Sequence, residues 1–362
     1  MSEQVFREME QQGHEQVIFN YDKKTGLKAI IAIHDTTLGP ALGGCRMMDY
    51  ESDDDALTDV LRLSKGMTYK CGVSGVDYGG GKTVMIGDPE QKNEGMFRAL
   101  GRFVQTMRGR YYTGTDVGTS PDDFIHSMRE TDCIVGRPVE FGGGGSTAIT
   151  TAYGVWQGLK ASAKAKYGTD SLSGKKVAVQ GLGKVGQLLV KHLIEDEGAE
   201  VVATDISKDA IEELKSKYSQ IETCEPDQIY EVDCDIFSPN ALGAVINDFT
   251  IEKLKCDIVA GSANNQLQED KHGDILFEKG ILYAPDYVIN AGGLIQAADE
   301  VKEFNHDRVM KTTARIYEIL LDIFKISEEK RVPTYQAANI LVEDRLDTVA
   351  EVRKNFLVEE KK

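Results

Sequence analysis

KKVAVQGLGKVGQLLVKHL, residues 175–193, decides how this chain is read. An apolar run ends in Gly181-x-Gly183-x-x-Gly186 and passes into apolar residues at helical spacing. Strand, glycine turn and helix in that order open a dinucleotide-binding βαβ unit. Each glycine has its own task. Gly181 makes the tight turn, Gly183 lets backbone approach a pyrophosphate, and Gly186 lets the helix pack on the strand. The helix amino terminus, with Lys184 and Val185, faces the phosphates. Asp205 closes the next strand, VVATD, and Ile206 follows it. A carboxylate there accepts hydrogen bonds from ribose hydroxyls and repels a 2′-phosphate, which favours NAD over NADP although Lys208 is close by.

The alternation continues with CDIFSP, CDIVAGS and ILYAPDYV separated by helical stretches. Such a pattern predicts a parallel sheet with helical crossovers. Ligands bind open parallel sheets beyond the carboxyl ends of the strands. Those ends carry Asn240 and Ala241, then Gly261, Ser262 and Ala263, then Asn290. Small and amide residues suit hydrogen bonds to ribose, a carboxamide and a small substrate. Ordinary turns use the same residues, so the clustering of three loops at one edge is what points to function.

Upstream, residues 1–140 read as an α/β unit. QVIFNYDKKTGLKAIIAIHD reads as a hairpin around Lys-Thr-Gly. DDALTDVLRLSKGM has helical spacing with aspartates at its start. VDYGGGKTVMIG reads as a strand, GMFRALGRFVQTM as a helix, RYYTGTDVG as a strand running into a loop, and PDDFIHSMRE as a helix opened by Pro121. FGGGGS, 141–146, cannot hold a helix or strand cheaply, and an interdomain hinge is expected there. The stretch from about Phe304 is mostly helical. The predicted division is 1–145, a Rossmann-type NAD domain over 146–330, and C-terminal helices over 331–362.

The bulk numbers exclude several classes. The 362 residues carry a net charge of −17 and a pI of about 4.9, which argues against nucleic acid and anionic membranes. No apolar run reaches the roughly 20 residues of a membrane span, and the polar start lacks the apolar core of a secretory signal. Six cysteines and six histidines show neither C-x-x-C nor H-E-x-x-H, so no metal site is expected and reduced cytosolic thiols are the reading.

KGMTYKCGVSGVDYGGGK, 65–82, raises the question of chemistry. Lys70 ends a helical run and Lys82 follows three glycines, where missing side chains allow a ligand to approach backbone. Two lysines facing one pocket raise each other's energy. One then gains base character near neutral pH while the other holds a carboxylate as a point charge. Asp116, in TGTDVG, is the natural third member. The bland alternative is two solvated lysines and an aspartate capping the helix after Pro121.

LGPALGGCR (38–46), KGMTYK (65–70), GGGK (79–82), GTDVGT (114–119), GLGKVG (181–186), GSANNQL (261–267) and APDYVINAGG (284–293) together resemble the amino-acid dehydrogenase family of glutamate, leucine, valine and phenylalanine enzymes. The resemblance spans nearly the full chain. It implies an α/β fold of two domains, an N-terminal α/β substrate and oligomerisation domain and a Rossmann-type NAD domain, separated by a deep cleft. The C-terminal helices would return towards the first domain. Lys70 matches the lysine that binds the substrate α-carboxylate, with Met67 beside it. Lys82 matches the catalytic lysine of depressed pKa that activates water, and Asp116 the aspartate that shuttles protons. Gly43 and Gly44 match the glycine pair lining the substrate pocket, Asn265 an amide near substrate and cofactor, and Thr151 a threonine near the nicotinamide amide. A cytoplasmic homo-oligomer, octameric in close relatives, is the implied assembly.

The pocket indicates the substrate. Leu42 stands where glutamate enzymes carry a lysine, so the substrate should be an apolar L-amino acid. Thr113-Gly114-Thr115-Asp116 and NAGG-Leu294 resemble the phenylalanine-type members, with Gly114 leaving room for a ring and Leu294 shaping the far wall. FGGGGST is more glycine-rich than the corresponding family segment.

Overall fold

A computed structural model describes residues 2–354. The chain forms two compact units. Unit 1 comprises the chain up to Gly145, Gln296–His306 and the chain from Val342; unit 2 comprises Ser146–Ile295 and Asp307–Leu341.

Unit 1 opens with α1 (Ser2–Gln12) and the hairpin β1 (Gln16–Asp22) and β2 (Leu27–Asp35). The hairpin turn holds Gly26 at φ +78°, and the Asp22 carboxylate accepts from the Thr25 N–H at 2.8 Å. Then follow β3 (Ala41–Leu42), β4 (Cys45–Met48), α2 (Asp53–Val73), β5 (Gly79–Ile86), α3 (Glu94–Thr106), β6 (Tyr111–Tyr112) and α4 (Pro121–Met128). The strand order is β1-β2-β5-β3-β6, with β4 also paired to β5. β2 is covered on both faces because its alternate residues serve two cores. Ile30 and Ala32 meet Leu57, Val60 and Leu61 of α2, while Ile31 and Ile33 meet Phe97 and Leu100 of α3 and Phe124 of α4. Ser52 caps α2 by accepting from the Asp55 N–H, and acidic residues fill the helix's first turn, where they favour the helix dipole.

Unit 2 runs α5 (Ala148–Tyr167), β7 (Lys176–Gln180), α6 (Lys184–Lys191), β8 (Glu200–Thr204), α7 (Lys208–Lys217), β9 (Glu222–Thr223), β10 (Ile236–Pro239), β11 (Ile258–Val259), α8 (Asp270–Glu278), β12 (Leu282–Tyr283) and α9 (Asp286–Ile289). All six strands are parallel, in the order β12-β11-β10-β7-β8-β9. The order reverses between β7 and β10, which makes that edge the topological switch point of a doubly wound sheet.

The remaining helices are α10 (Gly292–Asp299), α11 (His306–Ala314), α12 (Ile316–Lys330) and α13 (Thr334–Lys354). Here the structure divides the chain differently from the sequence reading at 330/331. α12 packs on α5, and the changeover falls inside α13, after Leu341. Gln296–His306 also counts with unit 1: Glu300 accepts from the Arg137 and Gly144 backbone N–H groups, both at or under 3.0 Å. Periodicity reports that a helix has an apolar face but not what that face covers. Among the described residues no helix is long and apolar enough to cross a membrane, and no group of three His, Cys, Asp or Glu side chains could hold a metal ion.

Candidate active site

The triple glycine is explained by packing. A Cβ at Gly80 would overlap Thr68 and the Ser64 carbonyl of α2, and one at Gly81 would lie 2.8 Å from the Tyr111 ring. A Cβ at Gly79 would overlap the Asp35 carbonyl. The bare backbone therefore admits α2 and Tyr111, not a ligand, which corrects the sequence reading of these glycines. The same compression puts Lys82 against the face of β5 that α2 covers, with the residue only 5% exposed.

Lys82 Nζ donates to Asp116 Oδ2. Asp116 rides on a loop tied at several points. Its N–H donates to Thr119 Oγ1 at 3.0 Å, Thr119 Oγ1 donates to the Cys45 carbonyl at 2.9 Å, and the Val117 N–H donates to Asp116 Oδ1. Gly44 admits this loop, since a Cβ there would stand 2.6 Å from the Thr115 carbonyl and 3.1 Å from the Asp116 Cβ. Burial pushes the Asp116 carboxyl up. The Lys82 ammonium, the Val117 N–H and the Arg46 guanidinium together outweigh it and hold the group below the usual carboxylate range. Asp116 does not cap the helix after Pro121. Ser120 caps it, in a reciprocal box with Asp123.

Lys70 lies in the last turn of α2, two residues beyond the Thr68 that abuts Gly80, and is half-buried. Met67 reaches Gly43, where a Cβ would come within 3.1 Å of the Met67 side chain and would overlap the Gly81 carbonyl. Leu42 is 1% exposed on β3. At Gly114 the expected room for a ring is absent: the direction a side chain would take is filled by the Val135 carbonyl. Gly114 is glycine because β-bridges tie Thr115 to Cys45 and Thr113 to Ile134, with the Cys45 N–H donating to the Gly114 carbonyl at 2.7 Å and the Val135 N–H to the Thr113 carbonyl at 2.8 Å.

In unit 2 the dinucleotide fingerprint is assembled residue by residue. Gly181 follows β7 at φ +96°, a conformation costly for any residue with a Cβ, and a Cβ there would stand 2.7 Å from that of Ala241. Gly183 precedes α6 and nothing lies within 4 Å of where its Cβ would be. Gly186 lies on α6 directly over the Gly181 carbonyl, which a Cβ would overlap. One glycine thus faces open space and two face protein, the distribution a pyrophosphate cradle requires. Lys184 and Val185 start α6. Asp205 Oδ2 accepts from the Leu182 N–H at 2.6 Å and Oδ1 from the Ser207 N–H at 2.8 Å. Each oxygen keeps acceptor capacity for a ribose hydroxyl. Ile206 is 90% exposed beside it. These residues fit a bound dinucleotide.

Three strand-end loops are joined by hydrogen bonds. Asn240 Oδ1 accepts from the Ser262 N–H at 2.9 Å; Asn290 Nδ2 donates to the Ser262 carbonyl at 3.0 Å and to Asn264 Oδ1 at 2.7 Å. Gly261 is required by close packing on Pro239, and Ala263 is buried. Asn265 is exposed, with φ +51°. Thr151 Oγ1 lies 3.2 Å from where a Gly293 Cβ would be, and Leu294 is half-buried on α10. A separate hollow of about 510 Å³, lined by Lys176, Asp235, Cys234 and Cys256 among others, lies before the strands begin. It is therefore at the opposite end of the sheet from the fingerprint.

A family model described as the Glu/Leu/Phe/Val dehydrogenase dimerisation domain matches residues 14–133, and one for glutamate/leucine/phenylalanine/valine dehydrogenase matches residues 142–213 and 204–353. The chain belongs to this family. It is 54% identical over 348 residues to a phenylalanine dehydrogenase of Caldalkalibacillus thermarum (strain TA2.A1), covering 95% of this chain and 94% of the relative. It is 52% identical over 359 residues to a leucine dehydrogenase of Geobacillus stearothermophilus, covering 98% and 96%. A crystal structure of L-tryptophan dehydrogenase from Nostoc punctiforme superposes with a TM-score of 0.88 at 44% identity, covering 96% of this chain and 99% of that one. The protein is an amino-acid dehydrogenase of this family, and the family supports a nicotinamide cofactor.

Within this dehydrogenase three polar residues near the pair were not singled out from sequence. Arg46, on β4, sits between Asp59 at 2.9 Å and Asp116 at 3.7 Å. Tyr50 Oη donates to Asp59 at 2.8 Å. The signal was present in the arginine closing LGPALGGCR, but only register shows its neighbours: Arg46 pairs with Val84, two residues past Lys82 and on the same face of β5.

Proposed function

We propose that the protein catalyses the reversible, NAD-dependent oxidative deamination of L-phenylalanine to phenylpyruvate, ammonium and NADH. The observation that carries this reading is the buried Lys82 paired with the mostly covered Asp116. Lysines are almost never fully buried without a partner, and a buried ionic pair adds little stability over apolar packing. Proton transfer supplies a reason for its presence.

A bound NAD would supply the acceptor for the hydride lost from the substrate Cα. Lys70 holds the α-carboxylate as a point charge. Lys82, when neutral, takes a proton from the water that attacks the imine carbon, and Asp116 exchanges a proton with the amino nitrogen. Because the base must be neutral, raised pH favours the oxidative direction. The 181–186 turn would hold the pyrophosphate, and Asp205 the ribose, with its charge disfavouring a 2′-phosphate. Thr151, Asn240, Ala241, Ser262 and Asn290 would serve the nicotinamide half, and Asn265 the substrate.

An apolar substrate is supported by Leu42, which offers a side-chain carboxylate no compensating charge. Phenylalanine is supported by the TGTD and NAGG-Leu294 patterns. A leucine or branched-chain substrate is the second reading, favoured by the filled space at Gly114. Initial rates of NADH formation by purified protein, measured with phenylalanine and leucine in one assay, separate the two. Higher kcat/KM with leucine would replace the first by the second. No NADH with any L-amino acid, despite NAD binding, would leave a non-catalytic NAD sensor. The match of residues 14–133 to a dimerisation domain supports a homo-oligomer; an octamer in the cytoplasm is the assembly and location we propose.

A further inference from the structure

Arg46 spends its guanidinium on two carboxylates that belong to different parts of unit 1. Its Nη1 bonds Asp59 of α2 at 2.9 Å, and its Nη2 stands 3.7 Å from Asp116 Oδ1, the oxygen turned away from Lys82. Asp59 is itself held from behind: Tyr50 Oη donates to Oδ2 at 2.8 Å and Arg62 Nη2 to Oδ1 at 2.9 Å. Tyr50, Asp59, Arg46, Asp116 and Lys82 thus form one continuous row of polar contacts on the α2 face of the sheet. Its inner members are mostly covered, with side-chain exposures of 15% for Asp59, 19% for Arg46 and 18% for Asp116. Partly buried charges at these separations act on one another strongly, because water screens them poorly.

We propose that Arg46, anchored by Asp59, is a positioning residue for the Lys82–Asp116 pair: it holds the Asp116 carboxylate with one oxygen towards the lysine and takes up part of its negative charge. This inference rests on the reading of Lys82 and Asp116 as the proton-handling pair.

The consequence for proton exchange has a definite sign. With Arg46 in place, the carboxylate offers Lys82 less than a full charge, and the pair releases its proton more readily. Without Arg46 the pair keeps its proton to higher pH. Without the Asp59 charge, Arg46 acts on Asp116 undiminished and the pair lets go at lower pH. The other titratable groups near the pair do not compete. Burial pushes up the Cys45 thiol on β4, the Tyr111 phenol on β6 and the Tyr50 phenol, so all three stay neutral near neutral pH. Arg62 on α2, bound to Asp59, contributes a positive charge that neither substitution removes.

The test is the pH dependence of kcat/KM for NADH formation, using the amino acid that wild type turns over best, in wild type, Arg46→Gln, Arg46→Lys and Asp59→Asn. Arg46→Gln should move the ascending limb to higher pH by about one unit, the scale expected for losing an opposite charge a few ångströms away. Arg46→Lys should fall between Arg46→Gln and wild type. Asp59→Asn should move the limb the other way, by less. Opposite displacements from two partners in one contact are not what a merely structural pair would give. If the limbs stay where wild type has them, or both variants shift in the same direction, the inference is overturned even where rates fall. If Arg46→Gln does not fold, Asp59→Asn decides alone: a shift to lower pH supports the positioning role, and no shift or a shift to higher pH overturns it. A wild type that forms no NADH with any amino acid overturns the parent reading and this one with it.

Discussion

The two glycine-rich stretches look alike in sequence and do opposite jobs in space. At 181–186 the central glycine faces nothing within 4 Å, while its neighbours are pressed against protein. At 79–81 all three positions are filled, by the Asp35 carbonyl, by Thr68 and Ser64 of α2, and by Tyr111. The first stretch leaves backbone bare towards open space, as the pyrophosphate site we propose would need. The second keeps it bare so that a helix can lie on a strand and bring a lysine under cover. Missing side chains alone do not distinguish a binding site from tight packing. What each absent Cβ would meet does.

Gly80→Ala should break the packing side of this contrast with the largest effect. An added methyl must displace the α2 backbone at Ser64 and Thr68, and overpacking at that cost is worth about 3 kcal/mol. Urea unfolding should show the loss, and turnover should fall because α2 carries Lys70. Gly183→Ala should do the reverse. Its φ of −66° suits any residue, so unfolding should stay within about 0.5 kcal/mol of wild type. The methyl would occupy the pyrophosphate approach, and KM for NAD should rise about tenfold, or about 1.4 kcal/mol. Equal losses of stability in the two variants would erase the distinction between the two stretches.

The smallest effect sharpens the picture of how α2 is held. His14 touches the Leu61 carbonyl at 3.0 Å and Ser64 Oγ at 2.9 Å, and its ring meets that of His34 edge-on at 4.8 Å. Burial, with help from His34, lowers His14 from 6.5 to about 4. A group whose folded pKa lies below its unfolded value stabilises fully above the unfolded pKa and loses that contribution as pH falls towards the folded one. Wild type should therefore lose about 1 kcal/mol over the first pH unit below 6.5 through this group. His14→Gln keeps a donor for Leu61 but cannot titrate, so that part of the slope in urea midpoint against pH should flatten.

Much of unit 2 was legible in the residues. The fingerprint is a short-range pattern in which strand, turn, helix and Asp205 are separated by fixed spacings, and local geometry follows from them. The parallel sheet followed from alternation, and the joining of Asn240, Ser262 and Asn290 followed from their shared position at strand ends. Unit 1 was less legible because its site is built by register. Arg46 and Lys82 come together through the parallel pairing of β4 with β5, and Asp116 through the bridge of Thr115 to Cys45. No spacing along the chain encodes either. Gly114 was misjudged for the same reason: the carbonyl that fills its side-chain direction belongs to Val135, more distant in sequence than any turn signal reaches. The switch of α13 between units was invisible because only tertiary contacts show which unit each part of the helix joins.

Burying Lys82 against Asp116, on the function proposed above, serves proton transfer. Lys82→Ala, purified and shown to be folded, should be compared with wild type for NADH formation at saturating NAD and amino acid. Loss of a general base predicts that kcat falls by roughly 10²–10⁴-fold. A folded variant that keeps more than about a tenth of wild-type turnover would contradict it.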